Sequence, residues 1–132
     1  PTWLGRIYDE HGRELIVERG TVVSIAPDGR RWVDPFADPA SFKDLLRPDD
    51  WNTYRIRATG PHVELWINGR RVAALDDHQV GEAEYSGKLA LQLHSGRGPA
   101  KVQFRGVRLI ELGETAFPSA APMALEKDNR QT

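Results

Sequence analysis

Apolar and polar side chains alternate along most of the middle of this chain. In Thr53-Tyr54-Arg55-Ile56-Arg57-Ala58, Tyr54, Ile56 and Ala58 share one side and Arg55 and Arg57 the other. A period of two is the mark of a half-buried β-strand. Gly60-Pro61 breaks the run, and His62 to Ile67 resumes it. Asn68-Gly69 then separates His62–Ile67 from Arg70–Leu75. Both turn positions tolerate positive φ, so the pair predicts a hairpin closed by a type I′ turn.

The same alternation predicts strands over Lys88–His94 and Lys101–Leu112, joined by a loop through Ser95-Gly96-Arg97-Gly98-Pro99. Shorter strands are expected over Trp3–Tyr8, Glu14–Glu18 and Thr21–Ile25, with a tight turn at Asp28-Gly29. Asp76 to Gly87 reads as a polar loop. One segment changes period. Pro39 to Leu46 can form a short helix, with Asp38 as N-cap, Pro39 at the first helical position and Pro48 beyond its end. Phe42, Leu45 and Leu46 would fall on its inner face. Many short strands with frequent turns predict an all-β, two-sheet antiparallel sandwich over residues 1–112. Residues 113–132, rich in Pro, Ala, Ser and charge, read as a tail.

Composition narrows the function classes. The chain has 132 residues and a formal net charge of -1, so no broad electrostatic grip on nucleic acid is expected. It contains no cysteine, which excludes disulfides, thiolate metal sites and a thiol nucleophile. No apolar run approaches the roughly 20 residues that span a bilayer, so membrane insertion is not expected.

Two stretches carry a resemblance beyond periodicity. One runs from Asp50-Trp51-Asn52-Thr53-Tyr54-Arg55-Ile56 through Gly60-Pro61-His62 to Asn68-Gly69. The other runs from Ser86-Gly87-Lys88-Leu89-Ala90-Leu91-Gln92-Leu93-His94 to Val102-Gln103-Phe104-Arg105 and Val107-Arg108-Leu109. With Gly5-Arg6-Ile7-Tyr8-Asp9-Glu10-His11, they resemble the C-terminal portion of the 3-keto-disaccharide hydrolase domain family. The resemblance covers roughly residues 3–112. It implies a concanavalin A-like jelly roll, a carbohydrate ligand oxidised to a ketone at C3, and a periplasmic or secreted bacterial location. It implies no cofactor of the domain's own. Family domains begin with further strands, so a partner is expected to complete the sheets, either a homodimer exchanging strands or a complementing segment.

Cleavage next to a ketone needs a general base, a group that polarises the carbonyl and an acid for the leaving oxygen. On Leu89–His94 the leucines face one way, while Gln92 and His94 share the other face with Ala90. His94 is therefore a candidate base or acid and Gln92 a candidate contact for sugar hydroxyls. A strand-end histidine bonded to a loop carbonyl is the structural alternative. In Tyr8-Asp9-Glu10-His11, Asp9 or Glu10 is a candidate catalytic carboxylate, and Tyr8 and His11 are candidate substrate contacts. A solvated turn capped by acidic side chains explains the same residues.

Two carboxylates and one histidine without clear ligand spacing do not make a metal site, and none is expected. Glu64 and Trp66 share a strand face, where an indole can stack on a pyranose beside a hydrogen-bonding carboxylate. A tryptophan merely covering an outer sheet is the other reading. Trp51 and Asn52 are expected to pack and to cap a turn, and Val102 and Phe104 to lie in the core. The expectation is an enzyme cleaving 3-keto-glycosides. A non-catalytic carbohydrate-binding module and a laminin G-like protein-interaction domain remain as alternatives, because fold alone does not assign function.

Overall fold

The computed structural model describes residues 4–94, 96 and 98–113. The Trp3 end of the first expected strand, Ser95 and Arg97 of the expected loop, and the expected tail beyond Gly113 lie outside the described residues. Two compact units divide the chain, residues 1–86 and residues 87–132.

The first unit is all-β and holds two sheets. Strands β1 (Ile7–Asp9) and β2 (Glu14–Val17) form an antiparallel pair. The larger sheet contains β3 (Thr21–Ile25), β4 (Arg31–Pro35), β5 (Tyr54–Thr59), β6 (His62–Ile67) and β7 (Arg70–Asp77). Its order is β4-β3-β7-β6-β5. Every pairing is antiparallel except β3 with β7, which run parallel with Val23 beside Leu75. This is the mostly antiparallel two-sheet architecture expected of a β-sandwich.

The alternation read from sequence sets which side faces inward. Val23 and Ile25 of β3, Leu65 and Ile67 of β6, and Val72 and Leu75 of β7 are buried, and Ile16 and Val17 of β2 join them in one cluster. The hairpin between β6 and β7 turns as expected, with Asn68 at φ 49° and Gly69 at φ 80°. Strand β4 was not anticipated. All five of its residues are exposed, so no buried face marks it in the sequence.

The expected helix is shorter than its pattern suggested. Pro39–Phe42 forms a 3-10 turn, and the Asp38 side chain accepts from the Ala40 N–H at 2.9 Å, the capping role expected of it. The i→i+3 bonds continue through Lys43 and Leu45 rather than widening into an α-helix. Phe42 is pinned in the core on one side and covered by the Arg70 guanidinium 4.1 Å above its ring.

The second unit differs from expectation. Neither Lys88–His94 nor Lys101–Leu112 is a strand among the described residues, and Val102 and Phe104 are exposed rather than core. The reason is physical. Alternation creates an apolar edge on a segment, but a strand exists only where a neighbour completes the backbone ladder.

Candidate functional site

Three groups of residues carry the candidate chemistry, and the fold positions each differently. The first begins on β1. Tyr8 pairs with Leu15 across the hairpin and is about half exposed. The strand stops at Asp9, so Glu10 and His11 fall in the turn rather than on opposite strand faces. His11 has φ 62° and, like Glu10, is exposed.

Asp9 is the fixed member of this group. Its carboxylate accepts from the Arg13 backbone N–H at 3.2 Å and from Arg13 Nε at 3.1 Å. These donors hold the Asp9 carboxyl below the usual carboxylate range, the backbone N–H most of all. Gly12 sits against the same carboxylate, where an added Cβ would lie 2.5 Å from Asp9 Oδ1.

Arg13 ties this turn to the large sheet. Its Nη2 donates to Asp77 Oδ2 at 2.7 Å at the end of β7, and its Nη1 to Gln79 Oε1 at 3.1 Å. Nothing local in the sequence singles out Arg13. Its spacing from Asp9 was visible, but its role depends on Asp77, far along the chain. A second clamp lies just upstream, where Arg6 holds Glu18 with contacts of 2.7–2.9 Å. Those bonds lower the Glu18 carboxyl as well.

The second group lies on the polar face of the large sheet. Glu64 and Trp66 share that face of β6, as alternation requires, opposite buried Leu65 and Ile67. Glu64 Oε1 accepts from Arg71 Nη1 at 3.3 Å, and Glu64 Oε2 lies 3.8 Å from His62 Nε2. The Arg55 guanidinium stands 5.0 Å from the centre of the Trp66 ring. One face of the indole therefore already carries a cation–π partner. Arg71 in turn stacks on Phe36 at 4.6 Å.

Gln92 and His94 form the third group, in the second unit, and His94 is exposed. Among the described residues no cluster of three or more His, Cys, Asp or Glu side chains is arranged to hold a metal ion. No helix among them is long and apolar enough to cross a membrane.

A family model matches residues 1–110, and its description is the 3-keto-alpha-glucoside-1,2-lyase-like domain. The chain belongs to that family. No match was found among curated proteins or among solved structures.

Two asparagines in the stretches that carried the resemblance prove structural in this lyase-like domain. Asn68 donates to Leu45 O at 2.7 Å and to Asn52 Oδ1 at 2.8 Å, and accepts from the Thr53 N–H at 2.9 Å. Asn52 accepts from the Arg47 N–H and donates to Arg47 O, both at 2.9 Å. Together they fasten the long loop before β5 to the β6–β7 turn. Asn68→Ala would free one backbone N–H and one carbonyl while leaving positive φ to an alanine. A loss of about 2 kcal/mol is expected in urea unfolding. A loss below about 0.5 kcal/mol would show that water replaces the network.

Proposed function

We propose that this lyase-like domain cleaves α-glucosides already oxidised to a ketone at C3. The observation that carries the reading is the family match over residues 1–110. The chemistry needs no redox step. A base removes the proton on C2, which the neighbouring carbonyl acidifies, and the electron pair forms an enediolate. Collapse of that enediolate restores the C3 carbonyl, makes a C1=C2 double bond and expels the C1 oxygen, which takes up a proton. Addition of water, with hydroxide going to C1 and a proton to C2, completes a net hydrolysis. Stopping before that addition gives a 1,2-lyase.

In this proposal His94 is the candidate base of the second unit. In the first unit, Glu10 is the candidate acid for the leaving oxygen and Tyr8 the candidate donor to the enediolate. Asp9 becomes a positioning residue, because Arg13 already engages it and holds it ionised. Gln92, His11, Glu64 and Trp66 supply contacts to sugar hydroxyls and ring faces.

The test is incubation with 3-keto-trehalose beside unoxidised trehalose, with released sugar followed by chromatography. Cleavage of the keto form alone is expected, and His94→Ala should lower its kcat about 100-fold while ligand binding by calorimetry persists. Binding without turnover in the parent chain would point to a carbohydrate-binding module. Cleavage of both sugars at similar rates would contradict the ketone-dependent route.

A further inference from the structure

Two of the candidate groups stand on opposite sides of the large sheet. On β7, Asp77 shares its side with buried Leu75 and is bonded to Arg13 of the β1–β2 turn. Ala74 and Asp76 point the other way, as alternation requires. Strand register carries that outer side across the sheet. Trp32, Ser24, Asp76 and His62 form one row. Asp34, Val22, Ala74 and Glu64 form the next, with Arg57 beside Glu64 on β5. Trp66 follows on β6, between Arg71 and Arg55. All of these residues belong to the first unit.

We infer that this outer face is a separate binding surface for a neutral, α-linked glucan chain, with Trp32 and Trp66 as its two platforms. Trp32 is 51% exposed on β4, where no core contact calls for an indole. Each ring carries a guanidinium on one side, Arg30 at 5.8 Å for Trp32 and Arg55 at 5.0 Å for Trp66. The other ring face can take the C–H face of a pyranose, while the guanidinium edge donates to its hydroxyls. Three strand spacings and four residues along β6 set the platforms roughly 20 Å apart. A disaccharide does not reach from one to the other, and a chain of several sugars does.

The charges between the platforms select the ligand. The carboxylates of Asp34, Glu64 and Asp76 stand among Arg57, Arg71 and Arg55, so the face offers a polyanion no field of one sign. The same charges separate the aromatic rings, which leaves no contiguous apolar patch of the kind a protein partner buries. A chain of hydroxyl-bearing rings with apolar faces suits both features. The inference takes from the proposed function only that the ligand is an α-glucoside. Glu64 and Trp66 then contact sugars other than the one that reacts.

The test titrates maltose and maltohexaose into the full chain by calorimetry. The hexaose should bind at least about tenfold more tightly, and Trp32→Ala should remove that advantage. Trp32 is exposed, so its loss leaves the core in place, and Trp66→Ala gives the same reading from the other platform. Equal affinities for the two sugars, or an advantage that Trp32→Ala leaves untouched, would overturn the inference. Failure of maltohexaose to bind would overturn it too, whether or not 3-keto-trehalose is cleaved. Length-dependent binding lost with Trp32, in a chain that leaves 3-keto-trehalose intact, would support this surface and contradict the proposed cleavage.

Discussion

Gly20→Ala is expected to cost about 4 kcal/mol in urea unfolding, a large share of the stability usual for a domain of this size. Gly20 sits at φ 81°, where an L side chain is strained. Its N–H donates to Val72 O at 2.8 Å, and its carbonyl accepts from the Phe36 N–H at 2.8 Å and the Ala37 N–H at 3.3 Å. One residue thus joins the start of β3 to β7 and to the chain leaving β4. An added Cβ would lie 2.4 Å from the Ala37 carbonyl oxygen and 3.1 Å from the Phe42 ring. The carbonyl is backbone, and the Ala37 N–H is tied to the Gly20 carbonyl, so it cannot simply rotate away. Relief requires moving the link that the Gly20 carbonyl maintains.

Gly69→Ala supplies the control. Gly69 has nearly the same φ, 80°, but nothing lies within 4 Å of an added Cβ. That variant should lose only the conformational part, about 1 kcal/mol. The difference between the two measures the Ala37 contact. Equal losses would mean that the backbone around Ala37 yields and that conformation alone sets the cost.

What the sequence could and could not reveal follows the range of each interaction. The strand face of β6 was legible because alternation is local and its inner side is set by the core, while β5 was legible from alternation alone, although Tyr54 to Ala58 are exposed. The Asn68-Gly69 turn was legible because two adjacent residues decide it. Strand β4 was not, since with both faces exposed nothing distinguishes it from a loop. The parallel pairing of β3 with β7 joins Thr21 to Ala73, and nothing local to either records it.

Lys88–His94 shows the converse: a strand signal without a ladder, because pairing belongs to two segments at once. At the candidate site the residue types were readable, and so was the turn that Asp9 opens. That Asp9 is bound in place was not, because the guanidinium that binds it is itself fixed from β7.

Arg13→Ala, the second large effect, tests that connection. A loss of about 3 kcal/mol is expected, because Asp77 is buried and would lose its 2.7 Å partner. Asp77 would retain only the Gln79 N–H, at 3.1 Å. Arg13→Lys should recover part of the loss, since an ammonium restores charge but cannot reach Asp9, Asp77 and Gln79 with one planar fork.

The pH dependence tests the Asp9 side of the connection. The Asp9 carboxyl is lowered in the folded state, so its contribution to stability is complete above the unfolded carboxylate range, near pH 4. It is lost as pH falls through the lower folded value. The largest cause is the Arg13 backbone N–H, which Arg13→Ala retains, so part of the acid sensitivity should survive the substitution. The guanidinium's share should not. Unfolding free energies of parent and variant should therefore converge between about pH 5 and about pH 2 without becoming equal. Parallel curves would leave the Asp9 turn held by its backbone alone. In that case the variant should also keep Glu10 and Tyr8 in place, and the proposed turnover of a 3-keto-glucoside should survive the loss of Arg13. If the curves converge, the guanidinium is a strut for that turn, and the proposed turnover should fall with stability.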